Sequence, residues 1–592
     1  MISNYWERQL SRRRVLQGSA AGLGLAALTL AGCGGSSSNG SSSDNTGLIT
    51  KVEDSSIRAK PGGTWLSYVI SEPATLDPLS AASNSALAAF GYSRFFMYRP
   101  GLKGENPTGE VDPDAAESYE LTPDGLQMTI KLRGNLKLDA RPPTNGRLMT
   151  SEDVKWSWDR WSSVSASRGE LLNSVSPSSP IQSLQVIDAK TLVFKLAFPM
   201  ANMPGRLAYH RYLQLLPVEA DGKFDAKIDM RGTGPWLLTK YEPSVGFEYR
   251  KNPTWHIPGR PYLDGIQSPI LKEYAQRLAQ LKTGAIWTAD VRAEDVVQTK
   301  RDQPGLAMYT SPFPIDRPIL IGFSQVEGSP FLDARVRRAL SMLIDRDTFI
   351  DVFNNVSGFH KSGLDVETRW HSHFAAGEPP YWIDPKGKGL GEGAAYFQHN
   401  VAEAMKLVKA AGYDKAISLP MNYQTPDRDR QAQVYQEMMQ EGGLFNFQLR
   451  PLNMNDWVPQ IHTGKGQYSG IGLDLAAGAS GDIDQYLSTR FNVGTANFNM
   501  FTKPIPGIQE LVLQQRTELD NKKRLDLLTQ LQKLMASEMP AIPWPGAAGG
   551  YDVAWPYMGN VDAFIPKGGT TGQSNATEIW THYWYDESKK KA

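Results

Sequence analysis

Apolar and polar positions along the chain repeat with two periods, one near two and one near 3.6. Thr64-Trp65-Leu66-Ser67-Tyr68-Val69-Ile70, opened by Pro61-Gly62-Gly63, is dense in β-branched and aromatic residues and predicts a first strand. Thr129 to Leu132 and Thr191 to Leu196 alternate with period two, as half-buried strands do. The helical period appears first after Thr150, where Asp153 stands at capping-box spacing ahead of Val154 and Trp158. It returns behind Asp333, whose expected helix carries Val336, Ala339, Leu340, Leu343 and Ile344 as one stripe. Asn400 and Glu403 open another helix through Ala404, Met405 and Val408, with Gly412 as its stop. Leu527, Leu528, Leu531, Leu534 and Met535 repeat until Pro540. Strands and helices interleave without internal repeats, which predicts a mixed α/β (α+β) fold.

One apolar run breaks the pattern. Ala20 to Leu30 follows Arg12-Arg13-Arg14 and ends in Leu30-Ala31-Gly32-Cys33, and it is too short to span a bilayer. Basic cluster, apolar stretch and small-residue site in that order predict a signal peptide over residues 1–32. Leu30 to Cys33 resembles a lipobox, so Cys33 is the expected lipidation point. Ser11 to Gln17 resembles a twin-arginine export signal, with Val15 and Gln17 departing from the usual Phe and Lys. Gly34 to Ser43 is a Gly/Ser leash, and residues 33–60 are read as lipidated cysteine and tether. Two acyl chains give stable anchoring, each buried methylene contributing about 0.8 kcal/mol. The expected location is the periplasmic or extracellular face of a membrane.

Of 592 residues only one is cysteine, so no disulfide is available within the chain. The 62 basic and 62 acidic residues cancel. Removing residues 1–32 takes away four arginines and one glutamate, leaving about −3, which argues against a nucleic-acid partner. Fifteen Trp and 23 Tyr suit both a large core and a pocket that cups an organic ligand.

Enzyme signatures are sparse. The sequence has no His-Glu-x-x-His, Gly-x-Ser-x-Gly elbow or P-loop. His371 and His373 form a His-x-His with no third ligand in view, and are expected as surface histidines. Gly387 to Gly393 lacks the strand-then-helix context of a phosphate loop. No metal, cofactor or catalytic residue is assigned.

An ordered set of short segments carries a resemblance. Glu72-Pro73-Ala74-Thr75-Leu76-Asp77-Pro78 comes first, then Pro113 to Tyr119, and Pro123-Asp124-Gly125 leading to Ile130-Lys131-Leu132-Arg133-Gly134. Thr150 to Ser157, Gly232-Thr233-Gly234-Pro235-Trp236 and Arg250-Lys251-Asn252-Pro253 follow. Phe331 to Leu340 with Ile344-Asp345-Arg346 completes the series. Together these resemble the family 5 extracellular solute-binding proteins, the peptide-type receptors of ABC importers. Most of the segments also have a plain structural reading. Asp153 reads as a cap, Arg335, Arg337 and Arg338 as solvated or structural charges, and Gly232 to Pro235 as a tight turn between strands.

The resemblance implies a bilobed periplasmic-binding-protein-like clamp of type II with an additional inserted domain. Lobe I would combine residues 61–98, 216–312 and 540–592, the inserted domain II residues 99–215, and lobe II (domain III) residues 313–539. Ligand held between the lobes drives closure because only the closed form touches it from both sides. The expected function is capture of a peptide or similar organic solute for an ABC permease and ATPase, by a monomer. An oligosaccharide or other non-peptide receptor on the same scaffold is the alternative, ahead of a secreted hydrolase or an extracytoplasmic chaperone or sensor.

In the resembling peptide receptors an aspartate three positions before an Asp-Pro pairs with the peptide amino terminus. Taking Asp482-Ile483-Asp484 as the altered Asp-Pro-Asp places Ala479 at that position. Loss of such a charge-assisted hydrogen bond is worth about 1.5–3 kcal/mol. Either Asp474 substitutes for it or the ligand is not a free-amino peptide. Trp287, where the family shows a polar residue, either stacks on ligand or fills core. Trp382 and Trp457 are further pocket candidates. Ser83, Asn84 and Ser85 align with a segment that lies beside bound peptide.

Overall fold

The computed structural model describes residues 46–80, 85–102, 109–200, 202–311, 319–376, 381–475, 482–493, 500–565 and 576–590. The signal segment, Cys33 and the Gly/Ser leash lie outside them. Among the described residues no helix is long and apolar enough to cross a membrane.

The first predicted strand forms as Thr64–Leu66, parallel to Gly265–Pro269, with Trp65 opposite Ile266. Its hydrogen bonding runs on past Leu66, because Ser67 N and Val69 N still donate to Gln267 O and Pro269 O. Gly246–Lys251 and Trp236–Glu242 complete this four-stranded sheet in antiparallel fashion.

A second sheet is wholly antiparallel, in the order Ala116–Leu121, Gln127–Leu132, Thr191–Leu196, Ile181–Val186. Met128, Ile130 and Leu132, and Leu192, Phe194 and Leu196, bury alternate positions as the period of two requires. The helix Ser151–Val164 lies nearby, with Trp158 edge-on to Phe194 at 5.4 Å. Asp153 caps it by accepting from Thr150 N at 2.9 Å, and also pairs with Arg147. Both sheets share one apolar core that extends to Ala554 and Tyr583.

A third sheet has five strands in the order Phe445–Leu452, Ile417–Gln424, Ile471–Gly472, Leu320–Phe323, Ile542–Pro543. The first three run parallel, and Leu320–Phe323 opposes its neighbours. Capped helices accompany it: Ala334–Met342 behind Asp333, Val401–Ala410 behind Asn400 and Asn521–Glu538 behind Asp520. The predicted stripe overruns the first of these, since Leu343 and Ile344 are buried beyond its last turn. Gly412 follows the second with φ +91, the left-handed conformation that glycine accepts at a helix stop. Arg337 is buried and donates to Phe331 O, Glu538 O and Met539 O, tying two helices together.

The Gly232 to Pro235 segment is not the tight turn between strands that its sequence suggests. Trp236 N donates to Phe90 O and Gly234 N to Gly91 O, so the segment lies flat against residues 90–91. A Cβ on Gly232 would stand 2.1 Å from Gly91 O, and one on Gly234 2.5 Å from Phe90 O. The glycines are there for close backbone approach.

Candidate ligand-binding site

Parallel strands present their carboxyl ends together, and ligands in open α/β sheets sit outside those ends. Ile417–Gln424 and Ile471–Gly472 are in register at Asn422 and Gly472, and Leu473 N donates to Asn422 O at 2.9 Å. The chain leaving the first strand delivers Arg428, and the chain leaving the second delivers Asp474, held at φ +56. Arg428 Nε donates to Asp474 Oδ2. Asp474 is 7% exposed, and the other oxygen of its carboxylate, Oδ1, has no hydrogen-bond partner among the described residues. A buried carboxylate oxygen left in that state costs free energy unless a further donor reaches it.

The Tyr435 hydroxyl nearby is also buried without a partner among the described residues. Burial pushes it well above the usual phenol range, against the opposing charge of Arg346, and the Asp474 carboxylate adds to the rise. Its ring packs on Phe349 at 4.8 Å and Trp544 at 5.9 Å. Trp544 follows the strand Ile542–Pro543, at the end of the sheet where Trp544 N donates to Ile319 O. A half-used carboxylate, a guanidinium and a free phenol hydroxyl in aromatic surroundings make a site able to hold a polar, positively charged group.

The sequence candidates scatter. Ser83, Asn84 and Ala479 lie outside the described residues, as does the side chain of Ser85, which begins the helix Ser85–Ala88. Trp287 is 6% exposed, stacks on Tyr585 and meets Tyr557 edge-on, filling core. Trp382 Nε1 donates to Trp370 O, with the Arg369 guanidinium 5.8 Å from its ring. Trp457 is buried and packs on His462 at 4.6 Å. Asp482 caps the helix Ile483–Phe491 by accepting from Asp484 N, and Arg524 holds it bidentately at 2.8 and 3.1 Å. Burial would push the Asp482 carboxyl up, but the Arg524 charge and hydrogen bonds outweigh it and hold it well below the usual range.

His371 and His373 are buried, not on the surface as expected. His371 Nδ1 accepts from Ala376 N, and His373 Nε2 faces Ala541 O at 2.9 Å. A backbone group therefore partners one nitrogen of each ring, while His373 Nδ1 has no hydrogen-bond partner among the described residues. Arg428 and Tyr435 went unnoticed in the sequence, because nothing in Thr425 to Arg430 separates Arg428 from an exposed arginine.

Residues 110–497 match the family model of the bacterial extracellular solute-binding proteins, family 5 Middle. The chain belongs to that family, and its fold is the type II clamp. It is similar to the dipeptide-binding protein of Escherichia coli K12, 23% identical over 486 residues that cover 76% of this chain and 82% of the relative. The structure is similar to the ABC transporter-associated periplasmic binding protein DppA of Helicobacter pylori in complex with the peptide STSA. The TM-score is 0.68 at 16% identity, covering 90% of this chain and 99% of that one. It is also similar to the periplasmic binding protein AgaA of A. tumefaciens R10 in complex with agropinic acid. There the TM-score is 0.68 at 21% identity, over 88% of this chain and 99% of the other.

Proposed function

We propose that this protein is the substrate-binding component of an ABC importer and captures peptides between its two lobes. The observation that carries the reading is the family match over residues 110–497, with peptide-binding proteins among the relatives. Lobe I comprises residues 61–98, 216–312 and 540–592, the inserted domain 99–215 and the second lobe 313–539. Cys33 carries the lipid anchor, export uses the twin-arginine signal, and the monomer hands its cargo to a membrane permease without covalent chemistry.

Asp474 takes the ligand's α-ammonium group, standing in for the aspartate that Ala479 replaces. Supporting this role, Arg428 occupies one carboxylate oxygen and leaves Oδ1 buried without a donor among the described residues. Asp474→Asn keeps the shape and removes the charge. Its expected effect is a roughly ten- to hundredfold loss of affinity for di- and tripeptides, the worth of one charge-assisted hydrogen bond. Isothermal titration with free and N-acetylated peptides checks it. Equal binding of the acetylated peptides by the unsubstituted protein contradicts the anchor.

A further inference from the structure

Away from the Asp474 end of the sheet, a polar network joins two stretches of chain nearly 300 positions apart in sequence. Arg206 Nη2 donates to Asp484 Oδ2. Asn202 Nδ2 donates to Asp482 Oδ2 at 3.1 Å. Gln485 Nε2 donates to Glu170 Oε2 at 2.7 Å, an oxygen that also accepts from Tyr212 OH at 2.6 Å. Arg516 reaches across as well, to Ser178 O. Arg206, Asp482, Asp484, Gln485 and Arg516 are all buried, so water is largely excluded from the seam.

The charges are distributed unusually for a permanent contact. On one side stand Arg206 and Glu170, linked through the Tyr212 hydroxyl, which lies 3.4 Å from Arg206 Nη1. On the other side Asp482 has Arg524 as its own partner, and Asp484 has Arg516 with Nε 3.2 Å from each oxygen. Gln515 also donates to Asp484 Oδ1 at 2.6 Å. Counting these groups alone, each half is neutral. If the halves part, Asp482 and Asp484 keep their own cations and Glu170 keeps the Tyr212 hydroxyl, while Arg206 exchanges Asp484 for water. A seam that never opens gains nothing from this, because a buried ionic cluster is often no more stable than apolar packing of the same volume. A seam that opens into water and closes again needs it.

Both aspartates stand at the start of the helix Ile483–Phe491, eight and ten positions beyond Asp474. The proposed ligand anchor and the seam are thus carried on one short stretch of chain.

We propose that this network is the latch of the clamp. It joins the inserted domain to the second lobe in the closed form and so sets the population of closed protein before ligand arrives. The inference rests on the two-lobed capture reading above. Arg206, Asn202 and Asp484 are then positioning residues: they fix affinity without touching ligand, since apparent affinity scales with the fraction of protein already competent to bind. Breaking one cross-seam contact is expected to raise the ligand dissociation rate about tenfold, equivalent to about 1.4 kcal/mol.

The test reads the seam directly. The full chain carrying Cys33→Ser has no other cysteine, so Ile187→Cys and Met405→Cys place one spin label on each side, at positions 60% and 48% exposed. Pulsed electron resonance without ligand should show a short-distance population that shrinks in favour of longer distances in Arg206→Met. Asn202→Asp should do the same. Asn202 caps the helix Met203–Ala208 by accepting from Gly205 N, and aspartate can keep that bond while setting a carboxylate against Asp482. If Arg206→Met fails to fold, Asn202→Asp decides. Distance distributions identical to the parent in a folded Asn202→Asp protein overturn the latch. A parent whose distance stays fixed with and without a mixture of di- and tripeptides contradicts the capture reading itself, so the two failures are distinguishable.

Discussion

Replacing Arg94 by methionine is expected to lower stability by about 3–5 kcal/mol at pH 8, the usual cost of breaking a buried ion pair by removing one partner. Arg94 is 2% exposed, and its Nη2 lies 2.7 Å from Oε1 of the equally buried Glu578 on the helix Ala576–Trp580. Its Nη1 donates to Ala208 O and its backbone amide to Asp114 Oδ2, beside His256 at 3.2 Å. The guanidinium thus ties the helix Ala576–Trp580 to Ala208, near the end of the 99–215 stretch, while the backbone amide of the same residue holds Asp114 near its start. Burial raises the Glu578 carboxyl above its ordinary range even with Arg94 in place. Without the guanidinium it rises further. A carboxyl raised in the folded state gives its full stability below the unfolded value and loses it as pH climbs through the folded one. The deficit of the variant should therefore shrink markedly at pH 5. Urea midpoints at the two pH values check this, and a loss independent of pH would place the cost in packing instead of charge.

Stability is also expected to fall steeply between pH 6 and pH 4, at up to about 4 kcal/mol per pH unit, one proton's worth for each of three histidines. Burial pushes His371 down to about 4, His373 to about 3 despite its bond to Ala541 O, and His582 to about 3, where the Arg260 charge adds to the fall. A histidine depressed in the folded state binds its proton more readily once unfolded. Its contribution is intact above pH 6.5 and lost as pH falls towards the folded value. His373→Gln can still donate to Ala541 O and cannot titrate, so it should lower the slope by roughly a third. Urea titrations across this range read the slope for both proteins. An unchanged slope in the variant would assign the acid lability elsewhere. Below pH 4 the fall continues for a separate reason. Asp482 and Asp484 are both held below the ordinary carboxylate range despite burial, by Arg524 and Arg516 respectively.

The scaffold was legible wherever one face of an element decides its burial. The alternation at Met128 to Leu132 and Leu192 to Leu196, and the caps at Asp153, Asp333 and Asn400, state local rules that the fold obeys. Gly232 and Gly234 were misread because a turn and a close approach of two backbones make the same demand on sequence. The histidines failed for a related reason: polarity suggests surface, yet a ring with one backbone partner can be buried. The site was harder still. Asp474 stood out through its distance from Ala479, but Arg428 and the Arg206–Asp484 contact join residues from distant parts of the chain. No local pattern encodes a pairing across nearly 300 positions.

The central claim is that the two lobes close on a peptide, and native mass spectrometry of freshly purified protein tests it most directly. The spectrum should show the chain carrying an added mass that tandem fragmentation identifies as one or more short peptides. The same peptides, added back to stripped protein at a hundredfold excess over Kd, should stabilise it by about 2.7 kcal/mol. A bare chain that no peptide mixture stabilises, or a bound oligosaccharide in place of peptide, would contradict the account.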